Sequence, residues 1–127
     1  MTPEGPGSLD RNDPRYQNRS FRVVSTATAS APAPDLNITD AYELTALAEA
    51  CAFAAATASL GFANGRKLEI WIKDNGTARA LSWNSQYHSS TTNVLPTTTV
   101  VGKKVRMGFE YDTATSKLEL LAGPTYN

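Results

Sequence analysis

The sequence predicts an all-β protein: an antiparallel β-sandwich, jelly-roll-like, over residues 35–127, behind an extended N-terminal arm and linker at 1–34. Three observations lead there. Leu68, Ile70 and Ile72, then Val105, Met107, Phe109 and Tyr111, then Leu118, Leu120 and Ala122 fall on alternate residues, which sets each apolar series on one face of an extended strand. Turn-forming clusters, Asp74-Asn75-Gly76 and Asp112 to Ser116, punctuate those runs at the short spacing of sandwiches and small barrels. Residues 1–20 show no apolar period of either kind.

That first stretch contains three prolines and two glycines among polar residues, too little apolar surface to offset the entropy of ordering it alone. Arg11, Arg15, Arg19 and Arg22 nevertheless recur every three or four residues, with Tyr16 and Phe21 between them. An arm of that kind suits docking along a partner surface, so Arg11, Arg15, Tyr16, Arg19, Phe21 and Arg22 are candidate contact residues. A short β-branched run predicts a strand over about 21–28, and the alternating prolines of Ser30 to Asp35 read as an extended linker separating arm from body.

Leu36 to Leu60 carries two signals. Its nine alanines between Ala41 and Ala58 favour a helix from about Tyr42 to Ala58 on propensity alone. Period two opposes it: Leu44, Ala46, Ala48, Ala50, Ala52 and Ala54 alternate with bulkier residues, so a strand broken near Glu49 is expected, with a small-residue stripe. Lys67 to Asn84 then reads as a β-hairpin, because Asn75-Gly76 supplies the positive φ of a type I′ turn. Trp71 falls on its outward face and is the best single candidate for a contact residue, whereas Trp83 shares a face with Leu81 and belongs to the core. Ser85 to Thr99 is a polar loop or edge strand in which His88 reads as a solvated side chain, and Val100 onward returns to hairpin signal.

The chemistry is sparse. The chain of 127 residues has zero formal net charge, which gives no basic field for nucleic acid. No apolar run approaches a membrane span, and Pro, Gly and charge stand at the N-terminus where a secretory signal needs an apolar core. The lone Cys51 excludes an internal disulfide and reads as a small buried hydrophobe. No nucleophile elbow, phosphate loop or metal spacing is present, and Asp35, Asp40, Asp74 and Asp112 all fall at turns, where Asp is favoured for local hydrogen bonds. No catalytic residue, cofactor or metal is expected, and the chain reads as not an enzyme.

From Tyr42 onward, YELTALAEACAF, GRKLEIWIKDNGTARALSWN and LPTTTVVGKKVRMGFEYDTATSKLELLA resemble a β-structured module of tailed-bacteriophage virion proteins, both head decoration proteins and tail-fibre or tail-tip proteins. The most specific stretch is Ile72 to Leu81 with Trp83-Asn84. This chain departs from the pattern at Thr57 to Gly61, where typical members have Pro-Thr-Gly, and at Leu118, where they have tryptophan. The resemblance implies a compact structural sandwich, often a homotrimer, made in the host cytoplasm and located in the virion. One module and one arm favour a capsid decoration (cement) protein whose arm staples the major capsid protein. The alternative is a tail-fibre or tail-tip module that binds a host receptor glycan through Trp71 or the Tyr87-His88 loop.

Overall fold

A computed structural model describes residues 21–127. Those residues contain no helix and form eight strands: β1 (Val23–Thr26), β2 (Ala41–Leu47), β3 (Cys51–Phe53), β4 (Lys67–Asp74), β5 (Leu81–Trp83), β6 (Tyr87–His88), β7 (Lys104–Asp112) and β8 (Lys117–Tyr126). Six of them make one sheet in the order β1-β2-β4-β7-β8-β6, and β3 pairs with β5 in a second. The all-β expectation therefore holds, but neither sheet is antiparallel: the six-stranded one is mixed and the two-stranded one is parallel. Only β4–β7 and β7–β8 run antiparallel, while β1–β2, β2–β4, β6–β8 and β3–β5 run parallel.

The cause lies at the expected hairpin. β4 forms with the predicted alternation, burying Leu68, Ile70 and Ile72 completely. The chain then leaves the sheet instead of folding back, and β5 enters the second sheet beside β3. The turn is also not the type I′ turn expected, because Gly76 has φ 103° but Asn75 is not in the positive-φ region. Asp74 replaces it. Its carboxylate accepts hydrogen bonds from Gly76 N at 3.0 Å, Thr99 Oγ1 at 2.8 Å and Gly102 N at 3.3 Å. The side chain thus joins the turn after β4 to the loop before β7, and with only 4% of its surface exposed it needs all three donors.

The alanine-rich stretch is strand, as its period predicts, broken at Ala48 to Ala50 between β2 and β3. An irregularity between Leu44 and Leu47 reverses the phase, so Leu44, Leu47, Cys51 and Phe53 are buried while Ala52 faces out. The small-residue stripe therefore does not line a continuous contact. Nor does the proline linker separate arm from body: Ala52 N, Ala54 N and Thr57 N donate to Ser30 O, Pro32 O and Pro34 O, which lays the linker along β3.

One core joins the two sheets. Leu44, Ile70, Ile72, Met107, Phe109 and Leu120 of the large sheet meet Cys51, Phe53 and Leu81 of the small one. Phe53 and Trp83 stack with ring centroids 4.6 Å apart, and Tyr87 meets Phe53 edge-on at 6.1 Å, so Trp83 packs on the core as expected. Burial pushes the Cys51 thiol up to about 12, which keeps it protonated and unreactive.

Replacing Asp74 with Ala strands Gly76 N–H, Gly102 N–H and Thr99 Oγ1 around a buried void, which costs about 2–4 kcal/mol for several unmet polar groups. Urea denaturation of D74A is expected to show that loss, whereas Asp112→Ala, whose carboxylate serves only the exposed Ala114 N, changes stability by less than about 1 kcal/mol.

Candidate partner-binding face

The large sheet has one face in the core and one facing outward, and register places the outward side chains in rows. Ser25, Glu43, Trp71, Arg106 and Thr125 form one row across β1, β2, β4, β7 and β8. Val23, Ala41, Glu69, Gly108 and Ala122 form the next, in which Ala41 is covered and 0% exposed. The expected outward position of Trp71 is therefore found.

Trp71 is the centre of a cluster. Phe21 stacks on it with centroids 6.3 Å apart and 18° between planes. The Arg106 guanidinium carbon lies 4.9 Å and Lys104 Nζ 5.5 Å from the ring centroid, and Trp71 Nε1 donates to Glu69 Oε1 at 2.9 Å. Glu43 accepts from Lys104 Nζ at 2.7 Å and from Ser25 Oγ at 2.9 Å, and the lysine bond chiefly holds its pKa below the usual value. The structure thus brings together Phe21 and Trp71 of the sequence-predicted contact residues.

Arg22 is held beside them by a different device. Asp40 accepts from Arg22 N at 2.7 Å, Nε at 3.0 Å and Nη2 at 2.9 Å, and from Arg66 Nη2 at 3.1 Å. Hydrogen bonds from Arg22 are the main reason the Asp40 carboxyl sits far below the ordinary carboxylate range. Arg22 Nη1 also donates to Asn37 O, and Arg22 O accepts from Asp40 N and Ala41 N. Arg22 is therefore an anchoring residue of the body, not a free contact side chain. Arg11, Arg15, Tyr16 and Arg19 lie outside the described residues.

Beyond Trp71 the outer face sinks into an open trough of about 390 Å³. Gly108, Ala122 and Gly123 contribute little side chain to its lining, Leu121 and Lys67 flank it, and Glu69 and Arg106 stand on the side toward Trp71. The backbones crowd here, since a Cβ on Gly123 would stand 2.5 Å from Arg106 O, and register irregularities flank Gly108. Sequence reasoning missed the trough and Arg106. A glycine inside a strong strand pattern was the available signal, because such glycines mark bulges and close backbone approach.

His88 has an acidic neighbour that the sequence did not reveal: its Nδ1 lies 2.6 Å from Glu119 Oε1, across the β6–β8 register. Asp35, Asp74 and Asp112 do serve nearby backbone amides, those of Asn37, Gly76 and Ala114. Among the described residues no three His, Cys, Asp or Glu side chains gather in a way that could hold a metal ion. What the face offers chemically is non-covalent contact: aromatic surface, paired charges and a recess. No protein-family model matches the chain, and none of the curated proteins or solved structures is significantly similar to it.

Two outcomes check this geometry. Asp40 has a folded-state pKa below its unfolded value, so its contribution is present above about pH 4 and is lost as pH falls through the folded pKa. The urea midpoint should therefore drop between about pH 5 and pH 2, and Asp40→Asn should be less stable at neutral pH with a shallower acid-side drop. Trp71→Ala removes the Phe21 stack and the cation contacts of a half-buried ring, and should cost about 1–3 kcal/mol in the same assay.

Proposed function

We propose that this chain is a tailed-bacteriophage capsid decoration (cement) protein: a non-enzymatic, homotrimeric β-sandwich that binds the major capsid protein and stabilises the head, with its N-terminal arm as the anchoring segment. In this reading the large and small sheets are the two layers of the sandwich. The observation that carries it is the seat of the arm. Phe21 on Trp71 and Arg22 on Asp40 tie the start of the described chain into the sheet, so whatever grips the arm is coupled to a well-packed body.

The stretch most specific to the virion-module resemblance, Ile72 to Leu81, also has a structural office. It comprises the end of β4, the Asp74 turn and the entry into β5. Those residues build a scaffold, which suits a protein whose role is to occupy and brace a surface. The glycan-binding alternative, a tail-fibre or tail-tip role, draws less support, because Phe21, Arg106 and Lys104 already lie against the Trp71 ring.

The test is decoration of heads that lack the protein. A version missing residues 2–20, which keeps Phe21 and Arg22, is expected to bind at least about tenfold fewer copies at a matched concentration. Equal decoration by the truncated and full chains would show that the arm is not the anchor.

A further inference from the structure

The outer face carries its own complement. Leu121 stands 54% exposed at the edge of the trough, an apolar knob beside an apolar hole. Among the described residues neither Arg106 nor Glu69 makes an ion pair within 4 Å: the Arg106 charge reaches Glu43 only at longer range, and the Glu69 carboxylate accepts from the neutral Trp71 indole N–H. Of the other charges on the face, Lys67 pairs with Glu110 and Lys104 with Glu43, while the exposed Lys73, outside the trough lining, has no carboxylate partner among the described residues. The trough and its rim thus offer one knob, one hole and one unpaired charge of each sign, which an identical trough complements and a strongly acidic or basic partner would not. Phe21 and Val23, 54% and 43% exposed, extend apolar surface across the same face.

We propose that the outer face of the large sheet binds the outer face of a second copy of this chain, Leu121 of one copy entering the trough of the other while Arg106 pairs with Glu69 across the contact. The contact is isologous and closes a pair about a two-fold axis, so it is additional to the trimer contact of the proposed function and does not replace it. Gly108 is what keeps the trough open. A side chain there is sterically acceptable within one copy, since its Cβ would meet only Ala122 Cβ at 3.5 Å, yet it would occupy the space the neighbour's Leu121 needs.

Sedimentation equilibrium of the full chain, from about one to one hundred micromolar, tests the contact. The unaltered chain should associate. Arg106→Glu and Glu69→Arg should each raise the dissociation constant by at least about tenfold, and the E69R/R106E double variant should recover most of it, because the charges are exchanged and not removed. Gly108→Leu should abolish the two-fold pairing while retaining a cooperative thermal transition. A rescue by the double variant is the result a merely local role for either side chain would not produce. Two-fold pairing, dimer from monomer or hexamer from trimer, that survives all four variants, or single-variant losses that the double variant fails to restore, would overturn this contact and leave the homotrimer reading standing. A chain that sediments as a monomer throughout would overturn both.

Discussion

The buried carboxylate of Asp74 is the constraint on which the two-sheet arrangement turns. At the end of β4 the chain must leave one sheet, cross, and begin another, and it must do so beside the loop that returns to β7. Three donors from both segments converge on that one side chain. Burial alone would raise the Asp74 pKa, yet those hydrogen bonds outweigh it and hold the group ionised below its ordinary value. The crossing therefore has a fixed geometry, and the small sheet is delivered to its place over Ile70, Ile72 and Phe109.

The outer face derives from the same strands by a different route. Alternation that drives Leu68, Ile70 and Ile72 inward leaves Lys67, Glu69, Trp71 and Lys73 outward, where burial imposes no composition. The side chains found there form a connected network of aromatic stacking, cation contact and ion pairing, with Phe21 at one end and the trough at the other. Asp40 lies just beyond, taking three donors from Arg22 and one from Arg66. An edge strand of four residues is held in this way by side chains as well as by its backbone ladder.

Strand existence was legible because burial writes period two into the sequence: β4, β7 and β8 lie where alternation puts them, and the alanine-rich stretch obeyed period over propensity. Strand pairing was not. Asn75-Gly76 is compatible with a hairpin, but whether β4 pairs with the next strand in the chain depends on Asp74 meeting Thr99 and Gly102, residues about twenty-five positions away that no local window contains. The same limit hid the site. Trp71 was visible as an outward aromatic, whereas Arg106, Glu69 and the Gly108 trough acquire meaning only when β4, β7 and β8 are set side by side. Phase was lost once more between Leu44 and Leu47, where one irregularity turned the expected alanine stripe away from the core.

The parallel setting of β1 against β2 and of β2 against β4 has a mechanical consequence. All three strands begin at the same end of the sheet, so the N-terminal segment departs from the end opposite the Asp74 turn. Tension applied to that segment along the strand axis would load the β1–β2 hydrogen bonds together, in shear, instead of peeling them apart one by one as it would at the open end of a hairpin. Arg22 on Asp40 and Phe21 on Trp71 stand first in line against such a pull. The edge strand is short, but its direction lets it resist as a unit.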